Sequence, residues 1–321
     1  MPDEIGPTIH RRRNQAQSLV LVGGMGAILA VATVLAWGAL GVVVATLVAS
    51  VLVLAAPRVP PETVMRLYRA RPVDSHTGEQ LTQLARELAT RAGLPSQPRL
   101  YIVPSMSLNA FAVGTPDKAA IALTEGLLRR LTLREIAGVL GHEIGHIRAN
   151  DLEIMGIADL LTRFAQLLSY VAVALALVNV MAGLAGEETI PWLTVALLYL
   201  APAATSLLQL GLSRAREFEA DLEAARLTGD PLGLASALRR LDSDCGTILD
   251  ELSLPVPCRR VSQPSVLRSH PAAEDRVARL LALDTTAVNP PLAIEERPFV
   301  SLAGYGPILM RPRYRWPGVW Y

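Results

Sequence analysis

GHEIGHIRAND, residues 141–151, carries two of the five histidines in a chain of 321 residues. His142 and His146 are four apart, so on a helix both lie on one face, one turn apart. Glu143 sits beside them. Two imidazoles so placed can reach one Zn2+, with the glutamate at hand to take a proton from a bound water. The competing reading is a polar amphipathic helix with surface histidines. The surroundings favour the metal. Leu140, Ile144 and Ile147 give the helix a core face, and TLRE at 132–135 forms a capping box in which Glu135 bonds back to Thr132. The spacing predicts a helix from about Leu133 to about Ala149. Asn150 and Asp151 read as its C-terminal turn and the exit from it.

A catalytic zinc takes three protein ligands and keeps a fourth position open. The remaining histidines are His10, His76 and His270, and His76 lies in a polar SHTGE loop where a solvated ring is the ordinary expectation. A carboxylate is the better candidate. SRAREFEAD, residues 213–221, places Glu217 and Asp221 four apart on one helical face, with Phe218 and Leu222 available to the core. Glu217 as ligand and Asp221 as acceptor for a histidine N–H would complete a His2Glu site. Glu219 and Glu223 are acidic too, so a solvated acidic face explains the same letters. Spacing alone leaves the two readings level.

Charged residues make up 18% of the chain, against about 25% in a soluble domain. The shortfall is local. Ser18 to Pro57, Phe164 to Gly186 and Thr189 to Ser213 contain no charged residue. A membrane helix needs about 20 apolar residues, so the last two runs each fit one span. The first is about twice that length, and Trp37, Gly38 and Gly41 near its middle suggest two spans joined by a tight turn. It also far exceeds the apolar core of a signal peptide, roughly 7–15 residues. Arg11, Arg12, Arg13, Arg58, Arg66, Arg69, Arg71, Arg163, Arg214 and Arg216 all flank the spans on one side, whereas the far turns offer only Glu187 and Glu188. Basic flanks stay in the cytoplasm, which predicts four spans with both termini there. The expected location is the inner membrane of a bacterial cell.

A net charge of +1 without a dense basic patch argues against a nucleic-acid partner. Cys245 and Cys258 lack metal-site spacing and are expected as reduced thiols. Between the spans, Glu79 to Ala92 has helical periodicity and stops at Gly93. Three strand-like runs follow, Arg99 to Val103, Asn109 to Val113 and Ala119 to Thr124, which suit a small antiparallel sheet. Helices are expected again over Arg214 to Leu227, over Leu232 to Asp242, and from Pro271 to near Leu283. The tail from Asn289, rich in proline and aromatics, shows no periodicity.

HEIGHIRAND followed two spans later by SRAREFEAD resembles the HtpX-like membrane zinc metallopeptidases, relatives of the prenyl-protein endopeptidases and of a mitochondrial quality-control protease. LNAFAVG at 108–114 and SHPAAEDR at 269–276 extend the resemblance, which runs to about residue 285. It implies one Zn2+ per subunit, held by His142, His146 and Glu217, with Asp221 in support. It implies that Asn109, Ala110, Phe111 and Ala112 belong to an edge strand to which a substrate adds. It also implies that His270 polarises the scissile carbonyl beside the catalytic Glu143. From the residues alone, LNAFAVG reads better as an interior strand with Asn109 in a turn, while His270 reads equally as a neighbour of the helix start at Pro271 and Arg276 as a salt-bridge partner.

The expected fold is an integral membrane, mainly α-helical protein with four transmembrane helices and a cytoplasmic α+β zincin-like peptidase domain. Its parts are a cytoplasmic N-terminus (1–17), a membrane hairpin (18–57), a first peptidase segment (58–160), a second hairpin (161–213), a second peptidase segment (214–285) and a tail (286–321). The expected activity is zinc-dependent endopeptidase cleavage of membrane or misfolded polypeptides at the lipid bilayer, in quality control under stress. A narrower processing peptidase of lipidated or signalling proteins is one alternative. A non-catalytic zinc-binding scaffold is another, and Glu143 speaks against it, since a structural site needs no base. The oligomeric state is not legible in the chain.

Overall fold

The structure, a computed structural model, describes residues 16–34, 37, 38, 43, 47, 60–73, 78–187, 190–250, 273–283, 289–294, 314, 315, 319 and 320. The chain divides into two compact units. One contains α1 (Ala16–Val34) and residues 153–215, within α6 (Asp151–Ala185) and α7 (Trp192–Thr228). Among the described residues these three helices are long and apolar enough to cross a membrane. The expected second span of the first hairpin falls almost entirely outside the described residues.

In this unit alanines stand at the helix contacts. Ala32, Ala165, Ala172 and Ala201 are buried with Leu29, Leu168, Val195 and Leu198, and small side chains let apolar helices approach closely. Thr162 Oγ1 donates to Gln209 Oε1 at 2.7 Å, tying α6 to α7. The connection between them is closed by the Asn179 amide, which donates to the Ile190 carbonyl (2.7 Å) and accepts its N–H (2.9 Å). Leu177, Met181, Leu184, Leu193 and Tyr199 point outward, as expected of side chains facing lipid.

The second unit takes in residues 60–152 and 216–283 as far as they are described, with residues 289–294. It begins with α2 (Pro61–Leu67), β1 (Arg71–Pro72) and α3 (Glu79–Ala92), which stops at Gly93 in the left-handed conformation, φ 66°. β2 (Arg99–Val103), β3 (Ala110–Thr115) and β4 (Lys118–Thr124) follow. Then come α4 (Glu125–Arg130) and α5 (Leu133–Ala149). After α7 the chain forms α8 (Pro231–Asp250), α9 (Ala273–Leu281) and a two-residue pairing of β5 (Tyr314–Arg315) with β6 (Val319–Trp320).

The sheet corrects one expectation. Its order is β1-β2-β4-β3, and β2 runs parallel to β4, so it is mixed rather than antiparallel. β3 and β4 form a hairpin turning at Pro116 and Asp117, and β4 folds back between β3 and β2. One reversal before β3 and another after it leave β4 pointing the same way as β2. β3 is consequently an edge strand among the described residues. The short β1, without periodicity to announce it, pairs antiparallel with β2.

Side chains alternate across the sheet. Leu100, Ile102, Ala112, Ile121 and Leu123 join the main core with α3 and α5, whereas Val103, Ala120, Ala122, Phe111 and Val113 pack with Met65 and Tyr68 on the opposite face. α5 therefore lies in the core, against β3, α3 and α8. Residues 289–294, for which the sequence carries no periodicity, are docked. Leu292 N–H donates to the Thr228 carbonyl at 3.1 Å, Arg91 reaches the Leu227 and Pro290 carbonyls at 3.0 and 2.9 Å, and Leu292 and Ile294 pack against the main core.

Candidate metal centre

α5 starts at the capping box: Thr132 N–H donates to Glu135 Oε2 at 2.8 Å and the Thr132 side chain accepts from Glu135 N–H. From that start the helix turns Ile136, Leu140, Ile144 and Ile147 into the core. His142 and His146 fall on another face, their rings edge to face with centroids 4.6 Å apart. α7 crosses this face at close range because α5 presents glycines there. A Cβ on Gly141 would stand 3.2 Å from Ala224 Cα, and one on Gly145 3.3 Å from Ala220 Cα. Glycine and alanine thus let the backbone of α7 come near enough for Glu217 to meet the two histidines.

The structure brings His142, His146 and Glu217 together, one potential ligand atom from each lying within 4.8 Å of the others. His142 Nε2 and His146 Nε2 are 3.1 Å apart, and they lie 3.5 Å from Glu217 Oε2 and 3.9 Å from Oε1 respectively. The other ring nitrogens face carboxylates. His146 Nδ1 is 2.7 Å from Asp151 Oδ2, and His142 Nδ1 is 3.0 Å from Asp221 Oδ1. Carboxylates only accept, so each ring in its neutral form holds its proton on Nδ1 and directs a bare Nε2 lone pair inward. Two lone pairs at this distance beside a carboxylate repel each other unless a cation lies among them. Bonds of about 2.0–2.1 Å in a tetrahedral site separate neighbouring ligand atoms by about 3.3 Å. The donor set therefore fits a divalent metal ion.

Burial alone lowers the pKa of His146. The hydrogen bond to Asp151 and the charges of Glu143, Asp151 and Glu217 outweigh it and hold the ring above its ordinary value. Glu143, on α5 next to His142, is half-buried and so stays within reach of water.

Asp151 reads in the sequence as part of the helix exit, and its contact with His146 is the feature that reading missed. Five residues separate them, a spacing that does not bring side chains together on a helix. Asn150 supplies the reason. It caps α5 in the left-handed conformation, φ 54°, and this turn brings Asp151 back to the His146 ring. Asp151 is in turn held by Arg216, whose Nε donates to Oδ1 at 2.5 Å. Asp221 has a matching partner. Arg276 on α9 donates from Nε to Oδ2 at 2.7 Å and from Nη2 to Oδ1 at 2.6 Å, and its Nη1 is 3.1 Å from Glu217 Oε2. Burial works against the charge on Arg276, but the bonds to Asp221 and the nearby carboxylates raise its pKa above the usual arginine value. Arg279, one turn on, lies over the Phe218 ring at 3.7 Å and so fastens α9 to α7 a second time.

Asn109 leads into β3. Its N–H bonds Thr124 Oγ1 at 3.0 Å and its carbonyl accepts Thr124 N–H at 3.0 Å. Ala110, Phe111 and Ala112 lie in β3, the edge strand packed against α5. His270 lies outside the described residues, as does His76.

Residues 75–284 match the family model for Peptidase family M48. A protease HtpX homologue of Kineococcus radiotolerans is 40% identical over 249 residues, 75% of this chain and 79% of its own length. Another, from Acaryochloris marina, is 37% identical over 282 residues, 84% of this chain and 95% of its own. Among solved structures, Ste24p of S. mikatae shares the fold at a TM-score of 0.50 and 22% identity, over 86% of this chain and 67% of that one. A family match over most of the chain and relatives near 40% identity agree with a His-His-Glu cluster shaped for a metal ion. The chain belongs to peptidase family M48, as an HtpX-like membrane metalloprotease.

Proposed function

We propose that the metal is Zn2+, one per subunit, bound by His142, His146 and Glu217, and that the protein is an endopeptidase of membrane or misfolded polypeptides. The observation that carries this is the convergence of three donor atoms beside Glu143, with the Nδ1 atom of each histidine facing an aspartate. Zinc held there would supply a Lewis acid and lower the pKa of water in the fourth position towards about 7.

The chain's own residues do the rest. Glu143 takes the proton of the attacking water and returns it to the leaving amine, so that the amine departs neutral. Asp221 and Asp151 keep the rings in the tautomer that leaves Nε2 free. The outer edge of β3, Ala110 to Ala112, offers backbone N–H and C=O groups to an extended substrate, which gives affinity with little dependence on sequence. His270 is assigned to the scissile carbonyl on the resemblance alone.

In this account residues 58–160 and 214–285 form one cytoplasmic peptidase domain, anchored by hairpins at 18–57 and 161–213 in the bacterial inner membrane. The run of basic flanks supports that orientation. An enzyme tethered in this way meets membrane proteins and their exposed cytoplasmic segments first, which fits a role in quality control.

Zinc content tests the ligand set. The purified protein in detergent is expected to hold one zinc per chain and Glu217→Ala to lose it; a Glu217→Ala protein binding zinc as tightly as wild type would remove Glu217 from the site. Single cysteines at the exposed positions 187 and 118, in a chain whose Cys245 and Cys258 are replaced by serine, test the orientation, since the first is expected to label only from outside the cell and the second only from inside.

A further inference from the structure

We infer that Arg216 and Arg276 are twin positioning residues of the metal centre, each holding through one aspartate the ring of one histidine. The two relays have the same form. Arg276 occupies both oxygens of Asp221, at 2.7 and 2.6 Å, and Asp221 Oδ1 meets His142 Nδ1 at 3.0 Å. Arg216 occupies Asp151 Oδ1 at 2.5 Å and leaves Oδ2 to His146 Nδ1 at 2.7 Å. Each guanidinium then reaches a second carboxylate of α7, Arg216 to Glu219 Oε2 at 2.5 Å and Arg276 to Glu217 Oε2 at 3.1 Å.

Both arginines are buried, at 3% and 9% exposure. Burying two guanidiniums and two carboxylates carries a desolvation cost that apolar side chains of similar size would avoid, so packing alone does not explain them. What both chains of contacts share is their end point, the pair of Nε2 atoms 3.1 Å apart. A planar guanidinium bonded at several points fixes the plane of its carboxylate, and the carboxylate fixes the imidazole. The two histidines are thereby oriented from separate elements, His146 from α7 itself and His142 from α9. Because α9 follows α7 and α8 in the chain, the site is complete only once the C-terminal part of the domain has folded onto it.

Charge and geometry predict opposite outcomes. A cation this close to the site opposes metal binding, so neutralising it tightens binding if charge is all that matters. Positioning predicts the reverse. This rests on the metal reading proposed above. Full-length protein in detergent, stripped of metal, is titrated with Zn2+ against a chromophoric chelator and separately with Co2+, whose d–d absorption reports ligand geometry. Arg216→Gln and Arg276→Gln are each expected to weaken Zn2+ binding about 10- to 100-fold and to alter the Co2+ spectrum. Arg→Lys at the same positions keeps the charge and the fold; lacking the planar fork, it is expected to restore the affinity only in part. Arg148→Lys, at another α5–α7 ion pair, with Glu223, is expected to match wild type. In an Asp221→Asn background the effect of Arg276→Gln is expected to shrink to what its contact with Glu217 contributes, since the relay to His142 runs through the Asp221 carboxylate. Gln and Lys variants that bind Zn2+ as tightly as wild type, or more tightly, with an unchanged Co2+ spectrum, would overturn the relay. If the Gln proteins do not fold, the Lys proteins decide by the same two readouts. Wild type that binds neither ion would instead overturn the metal reading itself.

Discussion

Gly145 of α5 lies directly against Ala220 of α7, so close that a Cβ on the glycine would stand 3.3 Å from the alanine Cα and 3.4 Å from its carbonyl oxygen. The glycine between His142 and His146 is thus a packing surface as much as a link in the motif. Gly145→Val pushes α7, and Glu217 with it, away from α5 while substituting none of the proposed ligands. It is expected to lower stability by about 1–3 kcal/mol, the usual cost of overpacking, and to reduce the zinc retained through purification. Thermal unfolding and zinc-to-protein ratio measure the two effects. A valine variant with wild-type values in both would mean that the contact does not set the position of Glu217.

The start of α5 is held by Glu135, which is 3% exposed and has partners on three sides. Oε2 accepts Thr132 N–H at 2.8 Å, while Oε1 accepts Ser236 Oγ at 2.6 Å and pairs with Arg240 Nε at 2.9 Å. Thr132→Ala removes only the cap and is expected to cost about 1 kcal/mol. Glu135→Ala also unties α8 and is expected to cost more, with catalysis per folded molecule unchanged. Equal losses in denaturant titrations of the two variants would contradict the account of Glu135 as a tie between α5 and α8.

Asp230 begins α8 and accepts from Gly233 N–H at 3.2 Å, while Arg134 of α5 pairs with both of its oxygens, from Nη2 at 2.8 Å and Nε at 2.5 Å. The Arg134 hydrogen bonds, opposed only in part by burial, hold this carboxyl below the ordinary aspartate range. A carboxyl lowered in the folded state adds stability that is fully present above its unfolded pKa, about 3.9, and lost as pH falls through the folded value. Asp230→Asn is therefore expected to be less stable than wild type at neutral pH. The difference should shrink below about pH 4. A difference that stays constant down to acid pH would show that the ionised carboxylate contributes nothing there.

Much of this architecture is legible in the sequence because it depends on local patterns. The capping box at Thr132, the core stripe of α5 and the stop at Gly93 are all set by neighbouring residues, and the helices form where those patterns place them. His142, His146 and Glu217 meet although 75 residues separate the first from the last, and only the paired motifs hint at it. What stayed hidden depends on single backbone choices or on distant partners. Asn150 in the left-handed conformation turns Asp151 back on His146, which helical periodicity cannot anticipate. The parallel pairing of β2 with β4 follows from where β4 inserts, not from any strand's own alternation. Arg276 on α9 reaches Asp221 from 55 residues away, so its pairing shows only in three dimensions.

The central claim is that Glu143 moves the proton at a site assembled by His142, His146 and Glu217. Cleavage of an unfolded polypeptide by zinc-loaded wild type and zinc-loaded Glu143→Gln tests it most directly. The account predicts equal zinc content and a loss of cleavage of about 10²- to 10⁴-fold in the variant, the usual contribution of a general base. A Glu143→Gln protein that keeps its zinc and cleaves at the wild-type rate would contradict it.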